Sequence, residues 1–413
     1  IPGKVGLLKF FQICIIRKFL YILAMDGLNK SIYEIGSDSA FSILARSNIL
    51  SNEGNDVINL GIGQPDFPTP ENIINSACKA LKDGHHGYTP SNGILELRKA
   101  IANDFLNRNG VKINSDNILI TPGAKAVIFY TLLMFGQKGA EIITPDPGFI
   151  AYRSMIDYTG ARVIPLPHRM EKNFSFDAEE LLSLITEKTR LIIFNSPGNP
   201  TGGVVPEKEF EKLANGLAKH PNVYILSDEI YSRIIFDDNK HKSLLSFPQI
   251  KDQVIVLDGW SKTYAMTGWR LGYGIYPKRL YPYAEKLAIN CHSCVNTAAQ
   301  YAGIEALTGP QDSVDNMIKE FQKRKNFLVK ELNNINNIEC INPGGAFYVF
   351  PKITKKNYNS KMISNELLEK KFLATVPGSS FGPNGEGFLR ISYANNMKNL
   401  KEALRRIQTF MNE

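Results

Sequence analysis

Short β-branched runs recur through the middle of the chain, at 117–121, 141–144, 162–166, 191–195, 223–227, 254–258 and 271–275, with helical patterns between them. Each is nearly continuous in apolar residues rather than alternating, which is what a strand covered by helices on both faces requires. Amphipathic stretches at 179–185 and 207–218 fill two of the gaps, the second behind Pro206, a residue suited to a helix start. The expected fold class is therefore α/β, built on a mostly parallel seven-stranded sheet. After about residue 300 the pattern changes to a long helix over 312–332, strands at 346–351, 371–376 and 387–393, and a last helix over 397–411. A chain of 413 residues suits one large domain plus a smaller one. We expect 61–300 to form the large domain and 26–60 with 301–413 to form a small α+β domain.

Charge excludes one class of function. Half of the net charge of +8 comes from Lys4, Lys9, Arg17 and Lys18 in residues 1–24, which hold no acid, and no basic stripe with interleaved aromatics follows. Nucleic-acid binding is not expected. The same segment is apolar, but Arg17 and Lys18 interrupt it well short of the ~18–20 residues that span a bilayer, so no membrane span is expected. We read 1–24 as an upstream extension of uncertain origin, with a membrane-surface anchor as the alternative. Cys14, Cys78, Cys291, Cys294 and Cys340 are odd in number and scattered, which fits free thiols in a reducing cytoplasm. Cys291 and Cys294 form a C-x-x-C, but a structural zinc site needs a second pair, so no metal site is expected.

The chemistry is concentrated at the ends of the expected strands. Lys262 follows an apolar run, and a lysine amine can form a Schiff base with an aldehyde; Arg270, eight residues on, can grip a phosphate. Asp228 closes the run 223–227, at the strand end where open α/β sheets bind ligands, although an aspartate also suits a helix N-cap. Thr121-Pro122-Gly123-Ala124-Lys125 follows a strand and precedes an apolar helical run, so its amides would face an anion from a helix N-terminus. Asn199-Pro200-Thr201-Gly202 reads as a turn that presents Asn199.

Together these stretches, with Ser261-Lys262-Thr263-Tyr264-Ala265-Met266-Thr267-Gly268-Trp269-Arg270 and Ser227-Asp228-Glu229-Ile230-Tyr231 at their centre, resemble the class I/II aminotransferases of fold type I. Within them the chain looks like the branch holding many bacterial and archaeal aspartate and aromatic aminotransferases. The resemblance runs from about residue 26 to the end and implies pyridoxal 5'-phosphate as cofactor. It implies Lys262 as the Schiff-base lysine and proton carrier, Asp228 as the partner of the pyridine nitrogen, and Tyr231 and Asn199 at the phenolic oxygen. Gly123, Ala124, Lys125, Ser261 and Arg270 would hold the phosphate, and Phe149 would stack on the ring. Many relatives carry a serine three residues before the lysine, where this chain has Gly259. Arg390 would bind the substrate α-carboxylate beside the backbone of Gly63. Tyr88 would reach the phosphate of a neighbouring subunit, which implies a homodimer with shared sites.

The activity implied is transfer of an amino group from an L-amino acid, aspartate or aromatic favoured, to a 2-oxo acid such as 2-oxoglutarate. A β-lyase, an aminocyclopropane-type synthase and an alanine or broad-specificity aminotransferase share this machinery. Lys125 can serve the phosphate or a distal substrate carboxylate. Gly378-Ser379-Ser380-Phe381-Gly382 satisfies G-x-S-x-G, but no histidine follows Ser380, so a serine hydrolase is excluded. A PLP-binding regulator would need a DNA-binding module, which residues 1–60 are too short and too apolar to supply.

Overall fold

The computed structural model describes residues 27–36 and 39–413. The segment 1–24, with its expected role as an extension, lies outside them. Seven strands form one sheet: β1 (Ile118–Thr121), β2 (Glu141–Asp146), β3 (Arg162–Pro167), β4 (Thr189–Asn195), β5 (Tyr224–Asp228), β6 (Val254–Gly259) and β7 (Gly272–Ile275). Their order is β1-β7-β6-β5-β4-β2-β3, and β7 alone runs antiparallel to its neighbours.

Side chains pointing alternately to the two faces explain why the apolar runs are continuous. In β4, Leu191 and Ile193 join one core cluster while Ile192 and Phe194 join the other; in β6, Ile255 and Leu257 divide from Val254 and Val256 in the same way. Parallel register then brings strand ends together. Asn195 pairs with Asp228 and Asp228 with Leu257, so the carboxyl ends of β4, β5 and β6 meet at one edge of the sheet. Two glycines let the neighbouring backbone close on that edge. A Cβ on Gly272 would lie 2.3 Å from the amide nitrogen of Ala124, and one on Gly259 would lie 2.9 Å from Gly272 Cα.

The rest of the chain builds around helices α1 (Ser39–Asn52), α2 (Lys125–Phe135) and α3 (Asp312–Asn333) and three small sheets. All three strands expected after residue 300 come out shorter, the last of them, at 387–393, as Leu389–Ser392. The first, at 346–351, is only Tyr348–Val349. The second, at 371–376, is split into Leu373–Ala374, parallel to Ile58–Asn59, and Val376–Pro377, antiparallel to the strand Leu389–Ser392. Two partners in different directions force the break at Thr375, whose carbonyl accepts the Ser364 hydroxyl at 2.8 Å. Lys371 belongs to the preceding helix, which ends on Phe372 in the left-handed region at φ 53°. Among the described residues no helix is long and apolar enough to cross a membrane.

Candidate active site

At the carboxyl edge of the sheet, a cavity of about 530 Å³ is lined by side chains from both ends of the sequence. Lys262 enters it from the single helical turn Trp260–Thr263 that follows β6. Its Nζ donates to the carbonyl of Gly63 at 2.5 Å and lies 5.8 Å from the centre of the Phe347 ring. Burial, and then the positive charges of Arg390, Arg270 and Lys125, push the ammonium down to about 8. An amine in this range is a usable nucleophile and base near neutral pH.

Asp228 is the last residue of β5 and 5% exposed. Its Oδ2 accepts the Tyr152 hydroxyl at 2.6 Å and its Oδ1 the amide of Ile230 at 3.2 Å; a turn and not a helix follows, so it is not a helix cap. Burial raises its carboxyl to about 7, against the opposing hydrogen bond from Tyr152. No ion pair reaches it among the described residues, although a buried carboxylate ordinarily needs one. It is a site prepared for a cation that the chain itself does not supply.

The anion end is built from backbone. Gly123 has φ 83°, and a Cβ there would sit 2.1 Å from Arg270 Nη2. Arg270 itself is left-handed at φ 55°, which costs on the order of 1–3 kcal/mol in a non-glycine residue. Its Nη1 donates to the Thr267 carbonyl at 2.8 Å, and the guanidinium is thereby aimed over the start of α2. The amides of Ala124 and Lys125 open that helix and have no intrahelical acceptor. Ser261 lines the same cavity. Lys125 Nζ lies 5.2 Å from the centre of the Phe149 ring, and both residues line the cavity.

Arg390, on the strand Leu389–Ser392, also lines the cavity. Its guanidinium is layered between the rings of Tyr348 and Phe381, at 4.7 and 5.0 Å. Nη1 donates to Asn199 Oδ1 at 2.9 Å and Nη2 to the Gly61 carbonyl at 2.5 Å, while Nε is buried with no partner. An unsatisfied guanidinium edge in a cavity calls for a carboxylate. Gly63 has no room for a side chain, since a Cβ would lie 2.3 Å from the Tyr348 hydroxyl. Tyr231 and Tyr348 share a hydroxyl–hydroxyl hydrogen bond of 2.8 Å, and burial keeps the Tyr231 phenol protonated far above its ordinary range.

Lys262, Asp228, Tyr231, Asn199, Phe149, Ser261, Ala124, Lys125, Arg270, Gly63 and Arg390 all line the one cavity. Gly123 backs it through its contact with Arg270. Tyr88 does not line it and is 93% exposed. A planar cofactor with a phosphate, a basic ring nitrogen and an aldehyde fits these residues: bare amides and Arg270 for the first, the unpaired Asp228 for the second, the Lys262 amine for the third.

Sequence reasoning missed Tyr152, Tyr348 and Asn195. Tyr152 stands one helical turn after Phe149, a spacing that places both on one face. Asn195, at the end of β4, accepts the Asn199 amide at 2.8 Å and so shapes the turn that presents Asn199. Tyr348 carried only the signal of an aromatic cluster in Ala346-Phe347-Tyr348-Val349-Phe350. Phe381, noticed only within G-x-S-x-G, walls the cavity, as do Ala40, Phe41 and Leu44 of α1.

Comparison with known proteins agrees with this geometry. The family model described as Aminotransferase class I and II matches residues 55–407. An aspartate aminotransferase of Pyrococcus horikoshii is 41% identical over 355 residues, 86% of this chain and 90% of the relative. Aromatic-amino-acid aminotransferase 2 of Thermococcus litoralis is 37% identical over 86% of this chain and 92% of its own length. The crystal structure of the aspartate aminotransferase from Rhizobium meliloti superposes with a TM-score of 0.89 at 34% identity, covering 93% of this chain and 98% of that one.

Proposed function

Because the chain belongs to the class I and II aminotransferases, we propose that it moves an amino group from an aspartate-like or aromatic L-amino acid to a 2-oxo acid such as 2-oxoglutarate, using pyridoxal phosphate. The observation that carries the reading is the pair of buried groups in one cavity, the Lys262 amine and the Asp228 carboxylate, neither bonded to an opposite charge. Bound there, pyridoxal phosphate would supply an aldehyde to take up the amino group and a ring to accept the electron pair left at the substrate Cα.

The residues would divide the remaining work. Arg270, Ser261 and the first amides of α2 would hold the phosphate, and Phe149 would lie against the ring. Asp228 would hold a proton on the ring nitrogen, with Tyr152 fixing the carboxylate's orientation. Tyr231 and Asn199 would donate to the phenolic oxygen. Lys262 would take the proton from the substrate Cα and deliver it to the carbon on the other side of the amino nitrogen. Arg390 would orient the substrate through its α-carboxylate; a charge-assisted hydrogen bond of this kind contributes about 1.5–3 kcal/mol. A panel of amino donors and 2-oxo acids, followed by the absorbance of the bound cofactor, tests the reading. No spectral change with any donor would sink it.

Lys125 separates two forms of the proposal. Its place beside Phe149 supports a role in gripping a distal carboxylate, and its place at the start of α2 supports a role at the phosphate. Lys125→Ala is expected to raise KM for aspartate and glutamate about tenfold or more while leaving aromatic donors nearly unchanged. Weakened cofactor retention with unchanged donor preference would assign it to the phosphate instead.

We further propose a homodimer with shared sites. Tyr88 lies outside its own chain's cavity and is 93% exposed, and Phe129 and Leu133 of α2 and Ile289 on the adjacent helix Tyr281–His292 are exposed apolar side chains. Mixing Tyr88→Phe chains with Lys262→Ala chains is expected to regain activity, because one hybrid site then has both Lys262 and a partner tyrosine. Mixed dimers no more active than either parent would refute sharing.

A further inference from the structure

The segment Gly61-Ile62-Gly63-Gln64-Pro65-Asp66 touches two of the four cations that line the cavity: the Gly61 carbonyl accepts Arg390 and the Gly63 carbonyl accepts Lys262, each at 2.5 Å. Its far end is held by a residue outside the cavity. Arg324, in the middle of α3, donates through Nη1 to Asp66 Oδ1 at 2.7 Å and, at 3.5 Å, to the carbonyl of Tyr393. Tyr393 follows directly on the strand Leu389–Ser392 that carries Arg390. One guanidinium thus spans the two backbone segments that form the carboxylate end of the cavity.

Arg324 has little freedom to do anything else. Its side chain is 7% exposed, its Nε donates to Glu320 at 3.1 Å, and its guanidinium lies 5.0 Å from the Phe67 ring and 5.7 Å from Phe321. Phe67 meets Phe321 edge to face at 5.4 Å, so Asp66 and Phe67 are gripped together, one by charge and one by packing. A buried, planar, multiply bonded cation fixes geometry far better than it adds net stability. The consequence falls on the separation between the Gly61–Gly63 backbone and Arg390.

We propose that Arg324 is a positioning residue for the substrate α-carboxylate, acting through Asp66 and the Tyr393 carbonyl. The inference rests on Arg390 being the carboxylate site. It makes a demand that ordinary structural support does not: the loss must appear in binding of every amino and 2-oxo acid alike, whatever the side chain, and not in the chemical step.

The experiment compares Arg324→Met, Asp66→Asn and Arg324→Lys in the cofactor-loaded enzyme, with Arg390→Lys beside them. Arg324→Met and Asp66→Asn are each expected to raise KM about tenfold for aspartate, an aromatic donor and 2-oxoglutarate, with kcat within about threefold. A non-reacting α-methyl amino acid, followed by cofactor absorbance, should lose affinity in parallel. The double variant should show no further loss, because both changes remove one link, and Arg324→Lys should recover part of the affinity. A lower melting temperature with KM unchanged overturns the inference, as does a fall in kcat at constant KM. If Arg324→Met does not fold, Asp66→Asn reads the same link from its more exposed end. If Arg390→Lys leaves KM unchanged, the carboxylate assignment itself falls; if only the Arg324 and Asp66 variants do so, this inference alone falls.

Discussion

Lys262→Ala is expected to lower transamination by at least about four orders of magnitude, the upper end of what one proton-transferring group contributes. The loss is large because one amine serves two steps. Its charge is weakened by burial and by three cationic neighbours in the cavity that also holds Asp228. Alanine leaves no group at that position that can carry the proton at Cα. Folding should survive, since the ammonium's single hydrogen bond is to the Gly63 carbonyl and its desolvation already works against it. Borohydride reduction of the cofactor-loaded protein, followed by peptide mapping, should place the label on Lys262; a label on another lysine would overturn the assignment.

Asp228→Asn is expected to cost about 10²–10³ in kcat/KM, the scale seen when a preorganised electrostatic partner is lost, while Tyr231→Phe costs about tenfold. Comparable losses would contradict the ordering. The same substitution has an opposite effect on stability in cofactor-free protein. The folded-state carboxyl is raised to about 7 by burial, above its unfolded value, so its contribution is fully present at low pH and is lost as pH rises from about 4 through about 7. At pH 8 the charged carboxylate is therefore a burden on the order of a few kcal/mol, and asparagine removes it. Melting curves of the cofactor-free proteins should show Asp228→Asn more stable than the parent at pH 8 and nearly equal at pH 4. An equal difference at both pH values would mean that the carboxylate is not the strained group.

Lysine obeys the mirror-image rule. Its folded-state value is lowered to about 8, so the neutral form is favoured in the fold and stability falls as pH drops from the unfolded value through about 8. Both buried charges thus weaken the empty site near neutral pH. A cofactor that bonds the amine and brings a cation to the carboxylate would relieve both, which is a physical reason for expecting the loaded protein to melt higher.

Much of this was legible along the chain because it is local. A strand covered on both faces must be apolar throughout, and that alone marked the regions of β1 to β7. Residues at strand ends sit at the sheet's edge whatever their neighbours, so Asp228, Lys262 and the Gly123-Ala124-Lys125 turn stood out beside short motifs. What pairing does across the chain was not legible. Nothing in 272–275 announces that β7 runs antiparallel, and nothing in 371–376 announces two partners pulling the chain in different directions.

The composition of each strand and the chemistry offered at its end were determined by the sequence, since both depend on a few adjacent residues. The tertiary structure decided which of those ends face each other, and with that the behaviour of the groups. Asp228 becomes a weak acid only because the folded chain buries it, against the hydrogen bond from Tyr152, and Lys262 a weak base because burial and the charges of Arg390, Arg270 and Lys125, from segments far apart, meet on it. Arg390 keeps an unbonded Nε because Tyr348 and Phe381 cover its faces and Asn199 and Gly61 occupy its other edge. Desolvation and charge–charge energy depend on distance in space rather than along the chain, so these properties exist only once the chain has folded.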